Sequence, residues 1–296
     1  MKLLVTGREG QLARSLAERA AGHELTFLAR PELDLACPDE VREIARRALR
    51  ESGAEVLVSA AAHTAVDKAE DEPELAHAVN ALSAGELAAA ARDLDLPIIH
   101  ISTDYVFDGT KDGPYEPDDP VAPLGAYGRS KEAGERAVRE ANPRHVIIRT
   151  AWVYSPFGNN FVRTMLRLAE TRERISVVDD QHGCPTSALD LADGVFAAAS
   201  GVVTDGNGVR GTHHYAGAGE TTWAGLARAV FEQARRRGLP HAAVDPIPGS
   251  AFPTKARRPD NSRLDCTGFA KAFGAEPDPW EAALDAVMGH DGAFKP

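Results

Sequence analysis

The amino-acid sequence predicts an α/β fold in which helices cover both faces of a doubly wound parallel sheet. Short β-type runs alternate with longer helical runs through the first half, and a glycine-rich turn joins the first strand to the first helix. Repeated βα units of this size imply crossover connections and therefore parallel strands. After residue 149 the pattern becomes looser, which indicates a smaller and less regular second domain.

The first half of the chain is expected to hold alternating strands and helices. The first helix carries Leu12, Leu16 and Ala20 on one face, and Pro38 stands at the start of the second. The predicted strands are residues 2–6, 25–28, 56–59, 97–101 and 145–149, and the predicted helices are residues 10–21, 39–51, 73–93 and 127–141.

The second half is expected to be mainly helical. Its predicted helices are residues 160–173, 188–199, 222–237 and 279–288, with short strands at residues 175–178 and 213–216. Residues 104–126 form a long segment rich in Asp, Gly and Pro. A loop of that length inside a compact domain is usually functional.

The composition is ordinary for a soluble globular protein, with 43% apolar and 26% charged residues. The formal net charge of −11 argues against a polyanionic partner such as nucleic acid. No apolar run approaches the ~18 residues that span a bilayer, and Met1 leads directly into a strand rather than a signal peptide. Cys37, Cys184 and Cys266 show no zinc-ligand or disulfide spacing, so we expect reduced thiols, no bound metal and a cytoplasmic location.

The glycine-rich turn Gly7-Arg8-Glu9-Gly10-Gln11-Leu12-Ala13 follows the first strand and opens the first helix. Glycine allows a tight turn there and lets a pyrophosphate approach the backbone N–H groups of the helix N-terminus. This placement predicts a Rossmann-type dinucleotide site that includes Gly7, Gly10, Gln11 and Leu12.

Segments after the second and third strands are expected to line the same nucleotide. Arg30 follows the second strand, where an arginine suits the 2′-phosphate of NADPH and an acid would suit NADH. NADPH is therefore favoured, and NADH stays the alternative. Asp34 and Leu35 are expected within reach of the adenine, and the loop after the third strand is expected to contribute Ala62, His63 and Thr64.

A tyrosine and a lysine, Tyr127 and Lys131, stand four residues apart on a predicted helix. That spacing places them on one helix face, where an ammonium would lower the pKa of a nearby phenol. Such a phenol exchanges a proton with a substrate oxygen near neutral pH. Thr103 ends a predicted buried strand and offers a hydroxyl for the same oxygen. We therefore expect a catalytic site at Thr103, Tyr127 and Lys131.

Longer strings carry a resemblance that runs from the first strand to the final helix. They are AAAHTAVDKAE at residues 60–70, STDYVF at 102–107, RTAWVY at 149–154, GNNF at 158–161 and RRPDNS at 257–262. With the glycine turn and the Tyr-x-x-x-Lys pair, they resemble the dTDP-4-dehydrorhamnose reductase branch of the extended short-chain dehydrogenase/reductase family. The resemblance implies an NADP(H)-binding Rossmann domain at residues 1–150. It also implies a mainly substrate-binding portion at residues 151–296, with segments that return to the first domain.

The resemblance further implies a reaction and a set of residue roles. NADPH would give a hydride to the C4 ketone of a dTDP-linked 4-keto-6-deoxysugar, dTDP-4-dehydro-6-deoxy-L-mannose, and the product would be dTDP-L-rhamnose. Tyr127 would protonate the developing alkoxide, Lys131 would lower the pKa of that tyrosine and bind the nicotinamide ribose, and Thr103 would hydrogen-bond the reacting oxygen. The residues expected to contact the sugar or its dTDP group are Asp104, Trp152, Asn160, Arg257 and Arg258.

Several alternatives remain. One is a reductase of a related dTDP-4-keto-sugar, as in streptose-type or antibiotic deoxysugar pathways, and another is a non-catalytic NADP-binding regulatory subunit of the same fold. Related dehydratases have a Thr-Asp-Glu string after the fourth strand, whereas here Tyr105 follows Asp104, and this difference counts against dehydration. The string at residues 257–262 counts against an epimerase. Some family members dimerise through magnesium held by glutamates. The matching positions are Ser15 and Leu189, so we expect no magnesium bridge and either a monomer or a homodimer.

Overall fold

The computed structural model describes residues 1–204, 209–290 and 294. Its strands are β1 (Lys2–Thr6), β2 (Glu24–Leu28), β3 (Val56–Ser59), β4 (Ile98–Thr103), β5 (His145–Thr150), β6 (Val153–Tyr154), β7 (Arg174–Val178), β8 (His182–Gly183), β9 (Thr186–Ser187), β10 (Gly211–His214), β11 (Thr221–Thr222) and β12 (Ala243–Ile247). Its helices are α1 (Gln11–Glu18), α2 (Pro38–Ser52), α3 (Val66–Ala69), α4 (Pro73–His77), α5 (Ser83–Arg92), α6 (Ala126–Ala141), α7 (Phe161–Ala169), α8 (Ala188–Thr204), α9 (Trp223–Arg236), α10 (Thr267–Phe273) and α11 (Trp280–Met288).

Within the described residues, six parallel strands form one sheet in the order β2-β1-β3-β4-β5-β10. Successive side chains of a strand point to opposite faces of the sheet. In β1, Leu3 and Val5 pack against the side covered by α1 and α8, whereas Leu4 packs against the side covered by α2 and α5. Both faces are therefore buried, and the predicted doubly wound parallel fold is confirmed.

The long alanine-rich helix predicted at residues 73–93 is interrupted by a π-helical turn. That turn, Ala78–Leu82, lies between α4 and α5 and carries Asn80. The carbonyl oxygen of Asn80 lies so close to α6 that a Cβ on Gly134 would come within 2.1 Å of it. The glycine therefore lets α6, which carries Tyr127 and Lys131, approach this helix directly.

The second half is divided between two locations. A parallel pair, β7 and β12, packs with α7, α9 and α11 around a separate apolar cluster that includes Trp280. In contrast, α8 packs on α1, and β10 extends the main sheet beside β5. No helix in the described part of the chain is long and apolar enough to cross a membrane.

Candidate active site

The carboxyl ends of β1 to β5 open into one cleft of about 1080 Å³. In open α/β sheets ligands bind at this edge, where the strand order reverses, and here the reversal lies between β1 and β3. Most of the residues predicted to form the site line this cleft: Gly7, Gly10, Gln11, Leu12, Arg30, Asp34, Leu35, Ala62, His63, Thr64, Thr103, Asp104, Tyr127, Lys131, Trp152 and Asn160.

The glycine turn presents backbone to the cleft. Gly7 has a φ of 86°, in the left-handed region that glycine favours, and a Cβ there would lie 3.2 Å from the side chain of Ala61. Gly10 precedes α1, and no side chain in the described part of the chain caps this helix. The first amide N–H groups of α1 are thus left for an anion, as a pyrophosphate-binding turn requires.

Two exposed arginines, Arg8 and Arg30, line the same end of the cleft. Across residues 1–204, 209–290 and 294, neither has a hydrogen bond or an ion pair. Arg8 was missed by the sequence analysis, although it stands inside the Gly-x-x-Gly turn. Both guanidinium groups are available for a phosphate, which they can bind through two parallel hydrogen bonds.

At the other end of the cleft, Thr103 lies between the predicted acid and a carboxylate. The Thr103 hydroxyl lies beside the Tyr127 phenol and donates to Asp104 Oδ1 at 2.9 Å. Thr103 also accepts from the backbone N–H of Tyr105 at 3.2 Å. The structure therefore brings the predicted tyrosine and threonine together at the carboxyl end of β4.

The pKa of Tyr127 does not follow the expectation. Burial raises the pKa of its phenol to about 12, the neighbouring Thr103 hydroxyl opposes this, and the nearby Asp104 carboxylate adds to it. The predicted lowering by Lys131 is wrong for this structure because the ammonium points toward the sheet. Its Nζ donates to the Ile101 carbonyl oxygen at 2.6 Å and lies 3.4 Å from His100 Nε2.

Lys131 itself is strongly affected by its surroundings. Burial lowers the pKa of its ammonium to about 8, and Glu135 on the next turn of α6 opposes that shift. Glu135 is fully buried and pairs with Arg149 at 2.7 Å. The Ser102 hydroxyl donates to the same carboxylate at 2.6 Å. This ion pair joins α6 to β4 and β5 directly below the predicted catalytic residues, and sequence reasoning missed it.

Asn80 is a second missed residue. Its Oδ1 accepts from the His63 N–H at 2.8 Å, and its Nδ2 donates to the His63 carbonyl oxygen at 3.0 Å and to Ser130 Oγ at 2.9 Å. One side chain therefore fixes the loop after β3 to the helix that carries Tyr127. A π-helical turn, which is frequent at functional sites, holds Asn80 there.

Trp152 forms one wall of the cleft. Its φ is 48°, and its ring stacks on Trp223 with centroids 3.6 Å apart. A Cβ on Gly183 would come within 2.4 Å of the same ring, so only glycine fits beneath it. On the floor of the cleft, Asp104 Oδ2 and Thr150 Oγ1 are buried and have no partner within the described residues.

Of three predicted substrate contacts, two have other partners in the structure and the third lies outside the main cleft. Asn160 caps α7 by accepting from the Arg163 N–H at 3.1 Å, and its amide donates to Gln11 Oε1 at 3.1 Å. Arg258 pairs with Asp67 at 2.7 Å, outside the main cleft. Arg257 is exposed and also lies outside that cleft, in a small pocket with Tyr105, Phe107 and Tyr127.

The two positions matched to magnesium ligands are Ser15 and Leu189, and both are buried. Neither has a carboxylate. Among the residues that the structure describes, no group of three or more His, Cys, Asp or Glu side chains is arranged to hold a metal ion.

A family model described as the RmlD substrate binding domain matches residues 1–291. The chain belongs to this family. Dehydrorhamnose reductases cover it almost completely: "dTDP-4-dehydrorhamnose reductase" of Sinorhizobium fredii is 46% identical, with 97% of each chain covered. The protein of the same name from Escherichia coli K12 is 41% identical, again with 97% of each covered.

Solved structures of the RmlD family agree with this assignment. A dTDP-4-dehydrorhamnose reductase from Clostridium acetobutylicum superposes with a TM-score of 0.87 at 36% identity, covering 97% of this chain and 98% of that one. The Bacillus anthracis reductase, crystallised in complex with NADP, gives a TM-score of 0.87 at 32% identity with the same coverage. The predictions of family membership, of a Rossmann-type fold and of an oxidoreductase are therefore confirmed.

Proposed function

We propose that this protein reduces the C4 ketone of dTDP-4-dehydro-6-deoxy-L-mannose to dTDP-L-rhamnose with NADPH as the reductant. The observation that carries the proposal is the cleft itself. It joins an uncapped helix N-terminus at one end to a hydroxyl-bearing pair, Thr103 and Tyr127, at the other. The names of the relatives and the NADP complex of the Bacillus anthracis protein support the same reaction.

The residues at the adenosine end fit NADPH. The free N–H groups at the start of α1 would hold the pyrophosphate, and Gly7 keeps the approach open. Arg8 and Arg30 would bind the 2′-phosphate that distinguishes NADPH from NADH. When bound, the cofactor supplies a hydride to the ketone carbon.

At the catalytic end, the chain's own groups manage the charge that develops on the ketone oxygen. Tyr127 would give its phenolic proton to that oxygen, and the Thr103 hydroxyl, which donates to Asp104 in this structure, would turn and donate to the same oxygen. The Lys131 ammonium keeps one N–H beyond its contacts with Ile101 and His100, and that group would bind the nicotinamide ribose.

The floor and wall of the cleft fit a sugar. Asp104 Oδ2 and Thr150 Oγ1 are buried polar atoms without a partner in the described residues, and sugar hydroxyls would satisfy them. Trp152 and Trp223 line the cleft there as a stacked aromatic pair, which would pack against the sugar. Of the two neighbouring arginines, Arg257 is the better candidate for the diphosphate because Arg258 is already paired with Asp67. Asn160 would support the site through α7 rather than contact the nucleotide.

Different parts of the chain bind the two ligands in this proposal. We assign residues 1–150, together with α8 and β10, to cofactor binding, and the remainder of residues 151–296 mainly to the nucleotide-sugar. We also propose a cytoplasmic monomer or homodimer that works without magnesium. Light scattering of the purified protein and an assay in the presence of a chelator test these statements. A chelator-sensitive rate would contradict the magnesium-independent proposal.

The decisive assay offers a panel of dTDP-4-keto-sugars with NADPH and, separately, with NADH, and follows the loss of the reduced cofactor. We expect the highest kcat/KM with dTDP-4-dehydro-6-deoxy-L-mannose and NADPH. A faster reaction with another keto-sugar would identify a related deoxysugar reductase instead. Tight NADPH binding without oxidation by any sugar would favour the non-catalytic regulatory subunit.

A further inference from the structure

The side chain of Gln11 bridges the cleft. Gln11 is the first residue of α1, and its Oε1 accepts from Ser155 Oγ at 3.0 Å and from Asn160 Nδ2 at 3.1 Å. Its Nε2 lies 3.4 Å from the carbonyl oxygen of Val153 and donates to it. A residue of the cofactor turn is therefore hydrogen-bonded at three points to the chain segment that follows Trp152.

The segment from 152 to 160 is tightly closed on itself. The Asn160 amide donates to the Ser155 carbonyl oxygen at 2.9 Å, and the Phe157 N–H donates to Ser155 Oγ at 3.0 Å. Asn160 then caps α7. These bonds join residues 155–160 into one unit, and Gln11 holds it at Ser155 and Asn160 and also bonds Val153, the residue that follows Trp152.

A second contact connects α1 to the same segment. The Arg14 guanidinium, one turn after Gln11, lies 4.3 Å from the centroid of the Phe157 ring. This contact is a cation–π interaction at the surface, whereas the Gln11 contacts lie inside the cleft. Gln11 thus begins the helix at the proposed pyrophosphate site and also contacts Val153, the neighbour of the proposed sugar wall Trp152.

We infer that Gln11 is a positioning residue that couples cofactor binding to nucleotide-sugar binding. This inference rests on the proposed function. Its backbone N–H belongs to the helix end that would hold the pyrophosphate, and its side chain holds the segment that starts with Trp152. Fixing α1 around a bound dinucleotide therefore fixes the wall against which the sugar packs.

Equilibrium binding tests the inference without turnover. The probe is dTDP, titrated calorimetrically into the full-length protein with and without saturating NADP⁺. We expect NADP⁺ to tighten dTDP binding about tenfold in the wild type, within the usual range of coupling between sites. Because coupling is reciprocal, dTDP must tighten NADP⁺ binding by the same factor.

In Gln11→Ala we expect this ratio to fall to about one, while each ligand still binds alone with a measurable Kd. The control is Glu18→Ala, an exposed residue of α1 that does not line the cleft and should keep the wild-type ratio. Asn160→Asp is a second variant, since a carboxylate preserves the cap of α7 but cannot donate to Gln11. It should lower the ratio as well.

The inference is overturned if the wild type shows no coupling or if Gln11→Ala and Asn160→Asp both retain it. Thermal melting of each variant shows whether the fold is intact, and a misfolded Gln11→Ala would leave the decision to Asn160→Asp. Failure of dTDP to bind even with NADP⁺ present would contradict the proposed function. Binding of both ligands without coupling would contradict this inference alone.

Discussion

The two ends of the cleft differ in whether their charged side chains are buried and paired or exposed and unpaired. At the catalytic end Lys131, Glu135 and Arg149 are buried, and each contacts a partner of the fold within hydrogen-bond distance. At the adenosine end Arg8 and Arg30 are exposed and unpaired within the described residues. In the proposed function, the groups of the catalytic end are thus held by the fold before any ligand arrives, whereas cofactor recognition would depend on charges that the ligand itself must pair.

This difference predicts effects of different size. Removing one member of a buried pair leaves a desolvated charge behind, which is severely destabilising. Removing an exposed charge changes little unless a ligand uses it. Substitutions at the catalytic end should therefore change stability or rate strongly, and substitutions at the adenosine end should change mainly the choice of cofactor.

The largest effect is expected from Arg149→Met. This change leaves Glu135 buried without its main partner, and we expect the free energy of unfolding to fall by about 3–5 kcal/mol. Urea unfolding measures it. The control is Arg235→Met, which breaks the exposed pair with Glu232 and should change the same quantity by no more than ~1 kcal/mol. Equal losses in the two variants would remove the distinction between the buried and the exposed charges.

Tyr127→Phe should lower kcat at least ~10²-fold, because the proton donor is lost while the ring stays in place. The Kd for NADPH should change little, since the ring remains and only the hydroxyl is removed. Single-turnover and equilibrium-binding measurements separate the two effects. Wild-type kcat in Tyr127→Phe would show that another group protonates the product.

The pH dependence of kcat/KM should reveal the burial of Lys131. Its pKa is lowered from the usual 10.5 to about 8, so in the free enzyme the ammonium is present below that pH and lost above it. We expect kcat/KM to fall by about tenfold for each pH unit above 8, the slope of a single ionisation. Lys131→Arg keeps a charge at every accessible pH, so any residual activity should lack this alkaline limb. An alkaline limb that persists in Lys131→Arg would belong to another group.

Arg30→Asp should have the mildest effect on the reaction as a whole. We expect the ratio of kcat/KM for NADPH over NADH to fall by about tenfold, because an acid repels the 2′-phosphate and accepts from the 2′-hydroxyl. Arg50→Asp, an equal change of charge at the exposed end of α2, should leave the ratio unaltered. An unchanged ratio in Arg30→Asp would make Arg8 the main phosphate ligand.

The parts that sequence could predict are those with a local signature. β1 and β3 have the predicted bounds because each is a short apolar run ended by a polar residue or a turn. Thr103 and Tyr127 could be expected to lie close together because the strand–helix pattern places Thr103 at the end of a strand and Tyr127 at the start of the next long helix. The two-residue strands, such as β6 and β9, are too short to show any periodicity.

The parts that could not be predicted depend on partners far apart in the chain. Arg258 and Asp67 are separated by 191 residues, and nothing near either residue identifies the other. The pairing of Glu135 with Arg149 likewise depends on how α6 lies on the sheet. The helix cap made by Asn160 did have a local signal, because this asparagine stands immediately before a helical pattern. That signal favours a capping role over a ligand contact.

The return of β10 to the main sheet has a consequence for how the protein is made. β10 pairs with β5, residue for residue from Gly211 beside Val146 to His214 beside Arg149. A ribosome that has released only the first 150 residues has therefore produced a sheet whose outer strand is bare, and bare strand edges invite pairing with other chains. The cofactor half cannot be completed during synthesis until more than 60 further residues have emerged. Until β10 emerges, the exposed edge of β5 must be kept from pairing with other chains.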